Sequence, residues 1–394
     1  MQSTSCGQGV GTVAESPEQW FDHMIKNCFG YATAARETGR PLVGIMCEYA
    51  PRELIMAAGA LPVCLCGGHA EMIPPVETVL PSNLCPLIKS TFGFHVQHAN
   101  PFLEQAALVV GETTCDGKKK MFELLGESRA IHVMELPQKP DDPDSLDRWD
   151  LELRRLRRAL EQRFGVEITD DKLRDAIRVM NRERRLRREL ASLMKRSPPP
   201  FSGRRLLSFQ SIMSGMPQDF EQYERALAGY KDAPGDPALA SRTRVLLTGV
   251  PIVHGAERVL ELIEARGGVV VCMESCTGLK PILEDVDENA ADPVRALAEK
   301  YYHLPCSVML QNDRRMETLR TLAAEYKAEC VVELVWQFCL TYDVESQRVR
   351  KLAEQELKLP YLKIETDYSP SDSERIGVRV EALFETVRHA ACRN

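Results

Sequence analysis

Cysteines are the side chains with the most evident chemical potential in this sequence, which has 13 of them among 394 residues. Six share a pattern, because each follows an apolar, strand-like run or lies in a turn that is marked by proline and is expected to open a helix, as for Cys85 and Cys306. Within each half of the chain they recur at intervals of 30 to 38 residues. They are Cys47, Cys85, Cys115, Cys276, Cys306 and Cys339. Since thiolates bind zinc, iron and iron–sulfur clusters, the spacing suggests a shared site if the fold gathers them.

The common short motifs do not explain these cysteines. Pairs of the C-x2-C type, clustered ferredoxin cysteines and H-E-x-x-H are all absent from the sequence. The stretch "LVVGETTCDGKKKMFELL" around Cys115 is not a P-loop, because five residues separate its glycines and Lys119 replaces the required Ser or Thr. Two interpretations stay open: an iron–sulfur cluster held by widely spaced cysteines, and scattered cysteines of the core.

The other seven cysteines are expected to be structural or incidental. Cys272 and Cys330 lie inside predicted strands and should be buried. Cys64 and Cys66 flank one residue at the end of a predicted strand. The remaining three lie toward the termini: Cys6, Cys28 and Cys392.

Short apolar runs alternate with amphipathic segments in two separate series, which predicts two doubly wound parallel α/β domains. An arginine-rich helical section joins them, with apolar residues recurring at three and four. We expect its arginines to form a solvated face, with docking of a partner protein as the alternative. The expected divisions are an N-terminal tail with helices (1–40), a first α/β domain (41–145), the helical section (146–240) and a second α/β domain (241–394).

This architecture gives the cysteines a common position. Ligands of open α/β sheets bind beyond the carboxyl ends of the strands, where helices begin. The dipole and free N–H groups of a helix N-terminus also stabilise a thiolate. Lys118, Lys119 and Lys120 add positive charge, although some should only solvate their helix. Candidate proton donors near the same edge are Glu48, Glu112, Glu274, His254, Tyr342 and Glu345.

Composition restricts the function further. A net charge of −7 and a pI near 5.8 argue against nucleic-acid binding. No apolar run approaches the ~18 residues of a membrane span, and the N-terminus lacks the pattern of a secretory signal. We therefore expect a cytoplasmic protein, in which disulfide bonds are rare.

Six segments carry a resemblance to a known family: "CEYAPRELIMAAGALPVCLCGG", "LPSNLCPLIKSTFGF", "LVVGETTCDGKKKMFELL", "ESCTG", "WQFCLTYDVES" and "YLKIETDYSPSDSERIGVRVEALFE". From about residue 41 onward the chain resembles the 2-hydroxyacyl-CoA dehydratase / benzoyl-CoA reductase family. The resemblance implies two flavodoxin-like domains with a cubane cluster between them. The dehydratase ligands would be Cys85, Cys115 and Cys339.

Three further cysteines at motif positions, Cys47, Cys276 and Cys306, make the chain similar to the double-cubane proteins of that family. The resemblance then implies an [8Fe-9S] centre, a homodimer, and a separate ATP-hydrolysing iron–sulfur activator that supplies low-potential electrons. The substrate would be a small molecule. Two alternatives remain: a (R)-2-hydroxyacyl-CoA dehydratase subunit with one [4Fe-4S] cluster and an acyl-CoA substrate, and a two-lobed binding or regulatory protein without a redox centre.

Overall fold

The structure is a computed structural model that describes residues 15–391, so Cys6 and Cys392 lie outside it. It contains eight strands, each at a position where the sequence predicts one. The strands are β1 (Leu42–Ile45), β2 (Leu61–Cys64), β3 (Ala106–Glu112), β4 (Ile131–Met134), β5 (Thr243–Gly249), β6 (Gly268–Glu274), β7 (Cys330–Trp336) and β8 (Tyr361–Thr366).

The α-helices of the described residues flank these strands or form the section between the two sheets. They are α1 (Pro17–Asp22), α2 (Met24–Glu37), α3 (Arg52–Ala57), α4 (Pro86–Val96), α5 (Pro101–Gln105), α6 (Asp116–Gly126), α7 (Pro143–Phe164), α8 (Asp170–Ser192), α9 (Gly203–Ser208), α10 (Pro217–Tyr230), α11 (Arg258–Ala265), α12 (Pro293–Tyr302), α13 (Asp313–Glu325), α14 (Leu340–Lys351) and α15 (Ser373–Ala391).

The strands form two parallel sheets of the same topology, with the orders β2-β1-β3-β4 and β6-β5-β7-β8. In each sheet the second strand lies on one side of the first strand, and the third and fourth strands lie on the other side. This order is the flavodoxin-like arrangement. The central strands β5 and β7 and the edge strand β6 are buried along their whole length because helices cover both faces of the sheet. The predicted α/β fold with two doubly wound, flavodoxin-like sheets is confirmed.

The long helix α7 packs against one face of the first sheet, and the long helix α8 packs against α3. Trp149 and Leu153 of α7 share a buried cluster with Val43 and Ile45 of β1. The same cluster contains Leu297 of α12, so the helical section also packs against the second half of the chain. The apolar residues whose spacing predicted these helices therefore make two different contacts, one with the first sheet and one with α12.

Several arginines of this section have a role that the sequence did not indicate. Arg154 pairs with Asp292, Arg185 pairs with Asp285, and Arg174 donates to the carbonyl oxygen of Ala290. These partners belong to the segment that leads into α12, so the arginines link the helical section to the second half. They are more than a solvated face.

Candidate functional site

A cavity of about 820 Å³ opens at the carboxyl ends of both sheets. All six cysteines of the sequence pattern line it, although they are distributed over both halves of the chain. The two sheets meet along the edge where their strands end and their helices begin, which is where ligands bind in this class of fold. The cysteines fall into two groups of three.

The first triad consists of Cys85, Cys115 and Cys339. Each is the N-cap residue of a helix, at the start of α4, α6 and α14 respectively. Phe338 precedes Cys339 with a φ of 62°, a left-handed conformation that costs a non-glycine residue about 1–3 kcal/mol. That turn directs the chain from β7 into α14. Three helix N-termini therefore converge on one set of sulfur atoms, as the sequence predicted for these three.

The thiols of Cys85, Cys115 and Cys339 lie close enough together to affect one another's ionisation. The neighbouring Cys339 thiol lowers the pKa of Cys85, and the neighbouring Cys85 thiol raises the pKa of Cys339. Backbone N–H groups of the first helical turns also donate to each sulfur and favour the thiolate. Burial nevertheless raises the pKa of Cys115, so the backbone donors offset only part of the cost of ionising these thiols.

The second triad consists of Cys47, Cys276 and Cys306, which lie close enough to interact electrostatically with one another. Cys47 lies in the turn after β1 and Cys276 in the turn after β6. The sequence predicted that Cys306 opens a helix, and this is wrong because α13 begins only at Asp313.

Cys306 instead lies in an irregular loop between α12 and α13. Asn312 fixes this loop by donating from Nδ2 to the carbonyl oxygen of Cys306 at 2.8 Å. The N–H of Leu310 donates to the carbonyl oxygen of Gln138 in the first half, also at 2.8 Å. The loop therefore spans from one half to the other, and a helix could not reach across in this way.

Burial opposes ionisation of these thiols when they are alone. It raises the pKa of Cys47 to about 12, and Cys306 and Glu112 add to this effect while Lys118 opposes it. Burial likewise raises the pKa of Cys276 well above its ordinary value. A cationic group that binds such thiols has to displace their protons.

Lys118 is the lysine of its run that faces the site. Its Nζ donates to the carbonyl oxygen of Met46 at 2.5 Å and lies 4.0 Å from the carboxylate of Glu112. Burial alone would lower the pKa of Lys118, but Cys47 and Glu112 raise it by more, so it remains a cation. Lys119 also lines the cavity but pairs at the surface with Asp116, whereas Lys120 pairs with Glu123 and only solvates its helix, as expected for some of these lysines.

Behind the second triad lies a buried charge network that the sequence does not predict. Arg315 is fully buried and contacts Glu274, Glu333 and Glu345, with nitrogen–oxygen distances of 3.2, 3.2 and 2.5 Å. The pattern "VVELVW" in β7 could have indicated that a buried cation lies nearby. A carboxylate in the middle of an apolar strand needs a buried cation.

Lys280 extends this network to the cavity. Its Nζ lies 3.2 Å from Oε1 of Glu274 and donates to the Tyr342 hydroxyl at 2.7 Å. Tyr342 lines the cavity, whereas Lys280 itself is buried. The wall next to the second triad is therefore supported by fixed charges.

The six candidate proton donors differ in their access to the cavity. Glu48 and Tyr342 line it, and Glu48 is paired with Arg52 at 2.9 Å. Glu112, Glu274 and Glu345 are buried and are not among the lining residues. His254 is also outside the lining, with a largely exposed side chain near Glu257.

The other cysteines of the described residues also differ in their access to the cavity. Cys272 and Cys330 are buried in strands, as predicted, and Cys28 is buried in α2. Cys64 and Cys66, by contrast, line the cavity at the carboxyl end of β2. The rule that located Cys47 after its strand would have located these two as well.

Two parallel sheets with a thiol-lined cavity at their carboxyl edges define the class, which is a two-lobed, flavodoxin-like α/β protein. The family described as "2-hydroxyglutaryl-CoA dehydratase, D-component" matches residues 47–387, and the chain belongs to it.

Similar proteins cover nearly the whole chain. The Escherichia coli (strain K12) protein YjiM, whose name describes a dehydratase subunit, is 42% identical over 89% of this chain and 92% of its own length. The (R)-phenyllactyl-CoA dehydratase beta subunit of Clostridium sporogenes is 22% identical over 93% and 97% of the two chains. A benzoyl-CoA reductase component of Thauera aromatica is 26% identical over 74% and 79%. This chain is therefore an enzyme component of the dehydratase/reductase type. Among residues 15–391, no helix has the length and apolarity needed to span a bilayer.

Proposed function

We propose that the protein is the catalytic iron–sulfur subunit of a two-component, ATP-dependent, low-potential reductase of this family. It would reduce a small substrate at an [8Fe-9S] double-cubane cluster. The observation that carries the proposal is the grouping of six thiols into two triads around one cavity. Each triad would hold one cubane, since three thiolates per cubane leave one iron free for bridging or for substrate.

The donor set and the available space suit a polynuclear cluster. Among the described residues, no group of three or more Cys, His, Asp or Glu side chains is close enough together to hold a single metal ion. Ligands of a cluster lie further apart than ligands of one ion, and the 820 Å³ cavity gives room for both inorganic sulfide and a small substrate. The helix N-termini of the first triad and Lys118 offset the negative charge of thiolates and sulfide.

When bound, such a cluster supplies single electrons at low potential. The residues of this chain position and shield it. The first triad would bind at the helix N-termini, and the second would bind between the turn at Cys47 and the loop at Cys306. Tyr342, held by Lys280, and Glu48, held by Arg52, are the polar groups that face the substrate space.

The electrons would come from a separate ATP-hydrolysing activator, because the chain contains no convincing nucleotide-binding motif. The relatives from Clostridium sporogenes and Thauera aromatica are each named as one subunit of a larger enzyme, which supports more than one component here. We further propose a homodimer in the cytoplasm, where thiols stay reduced. Neither nucleic acid nor a membrane is proposed as a partner.

A second candidate is a 2-hydroxyacyl-CoA dehydratase subunit that uses the first triad alone to hold one [4Fe-4S] cluster. The names of the dehydratase relatives favour it, and its substrate would be an acyl-CoA. The second triad argues against it, because three additional buried thiols would have no ligand to hold. The binding or regulatory alternative is not retained, since the family consists of enzyme components.

Iron and sulfide analysis of anaerobically purified protein, with EPR in the presence and absence of an ATP-driven activator, tests the proposal. About eight irons per chain support the double cubane, and about four support the second candidate. Cys115→Ser should lower the iron content sharply, whereas the matched control Cys272→Ser, within β6, should not. Equal iron content in the two variants would contradict the ligand assignment, and a colourless protein would contradict both candidates.

A further inference from the structure

Asn312 occupies a helix-capping position but does not cap its helix. It is the N-cap residue of α13, where an asparagine side chain ordinarily accepts a hydrogen bond from the first helical turn. Within the part of the chain that the structure describes, its side chain makes no such bond. Asn312 is buried, so its amide group needs partners elsewhere.

The amide nitrogen of Asn312 donates in two other directions. One bond reaches the carbonyl oxygen of Cys306 at 2.8 Å, and the other reaches Oε1 of Glu345 at 3.0 Å. The Cys306 oxygen also accepts from the N–H of Met309 at 3.1 Å. The Met309 bond stays within the loop, whereas Asn312 ties the backbone of Cys306 to a residue of α14.

The acceptor on α14 is itself fixed from the other side. Oε2 of Glu345 accepts from Nη1 of Arg315 at 2.5 Å, and Arg315 also contacts Glu274 and Glu333 of the second sheet. A hydrogen bond to an ionised acceptor is stronger than one between neutral groups. Asn312 therefore donates to a carboxylate whose position is set by the buried charge network.

The helix that carries Glu345 also carries a member of the first triad. Cys339 is the N-cap residue of α14, and Glu345 lies about 9 Å further along the helix axis. Ser307, in the same loop as the second-triad cysteine, donates from Oγ to Oγ1 of Thr341 in the first turn of α14 at 3.1 Å. The loop and the helix are thus joined at two levels, by Ser307 near the helix start and by Asn312 further along.

We propose that Asn312 is a positioning residue that fixes Cys306 relative to Cys339 and so holds the second triad at a set distance from the first. The inference rests on the proposed function, because that distance matters when each triad holds a cubane and the two cubanes share a bridge. The thiols of the first triad lie at three helix N-termini and do not need Asn312. Loss of its amide should therefore loosen the second triad alone.

Two substitutions remove the donor amide. Asn312→Asp keeps the shape of the side chain and remains a good helix N-cap, but an ionised carboxylate cannot donate. Asn312→Leu removes the polar group altogether. Gln311→Asn is the matched control, because Gln311 is the exposed preceding residue with a φ of 54°, and asparagine tolerates that conformation.

The first measurement does not require a bound cluster. The full-length protein is purified anaerobically, any iron is removed with a chelator, and circular dichroism confirms that each sample is folded. Iodoacetamide then labels the thiols over time, and trypsin releases them in separate peptides. Residues 301–314 contain Cys306 as their only cysteine, and residues 90–118 contain Cys115 as theirs. In both Asn312 variants we expect Cys306 to react about tenfold faster, as for the loss of one buried hydrogen bond, and Cys115 to react at the unmodified rate.

The second measurement follows the release of iron from the untreated anaerobic protein to a ferrous chelator. About half of the iron should leave the Asn312 variants about tenfold faster than it leaves the unmodified protein, and the other half should leave at the unmodified rate. Gln311→Asn should match the unmodified protein in both measurements. If Asn312→Leu does not fold, Asn312→Asp decides the result.

Unchanged labelling of Cys306 would overturn the proposal, because Asn312 would then not hold its loop. Equal acceleration at Cys306 and Cys115, or faster release of all the iron, would also overturn it, since Asn312 would then stabilise the whole fold. A protein that binds no iron would contradict the proposed function instead. In that case the labelling of Cys306 still decides whether Asn312 positions it, so the two failures can be told apart.

Discussion

Replacing Arg315 by methionine should destabilise the fold strongly. Its guanidinium is the shared partner of Glu274, Glu333 and Glu345, of which the first two are fully buried. The change leaves three carboxyl groups with Lys280 as their remaining nearby cation. Removing one partner from a buried ion pair costs about 3–5 kcal/mol, and we expect a loss of that size in the free energy of unfolding.

The loss should grow with pH. Without Arg315, the buried carboxyl groups bind protons more tightly in the folded protein than in the unfolded chain. Their pKa values are then higher in the folded state, so stability is retained below the unfolded values and lost as the pH rises through the folded ones. The variant should therefore be closest to the unmodified protein near pH 5 and furthest from it near pH 8.

Urea denaturation followed by far-UV circular dichroism measures this effect, with Arg314→Ala as the matched control. Arg314 is the preceding residue, but it pairs with Glu284 at the surface, and such pairs contribute about 0–1 kcal/mol. Adding Glu333→Gln to Arg315→Met should recover part of the loss, because it removes one uncompensated carboxylate. Equal effects of the two arginine variants, or a loss below about 1 kcal/mol for Arg315→Met, would refute the assignment of the network.

Three further predictions follow from single side chains. Lys118→Met should lower the iron content of anaerobically purified protein because it removes the buried cation beside the thiols, whereas Lys120→Met at the surface should leave it unchanged. Burial raises the pKa of Asp219 to about 6, so this carboxyl group holds a proton more tightly in the folded protein than in the unfolded chain. The stability of the fold should therefore fall as the pH rises from about 4 to 6. Asp219→Asn should flatten that dependence and raise the melting temperature at pH 7.5. Leu153→Ala in the buried stripe of α7 should cost about 2–5 kcal/mol in urea denaturation, and Leu151→Ala on its exposed side much less.

The strands were predictable because each strand of a parallel sheet that helices cover on both faces requires a continuous apolar run in the sequence. Runs such as "LVGI" and "VVVCM" are apolar throughout, since helices bury both of their faces. The N-cap positions of Cys85, Cys115 and Cys339 were predictable for a similar reason, because strand ends and proline-marked turns are local features.

Other parts of the site depend on contacts between segments that are distant along the chain, so no local sequence pattern predicts them. Cys306 lies in a loop held by a bond to Gln138, on the other side of the cavity. In the sequence Arg315 is an ordinary arginine of an amphipathic helix, and only the tertiary structure places two carboxylates of the second sheet and one of α14 around it. Cys64 and Cys66 look like strand-end core residues until the second sheet closes the cavity that they line.

By itself, then, the sequence determined two parallel α/β sheets, the placing of six cysteines at or near their carboxyl edges, and the family resemblance that the comparison confirmed. The tertiary structure decided how those cysteines divide. The first triad takes Cys339 from the second half and the second triad takes Cys47 from the first, so neither half contains a complete set. The physical reason is that the spacing of residues along a chain sets their position on one sheet, whereas the distance between sulfur atoms on two sheets is set by how the sheets pack.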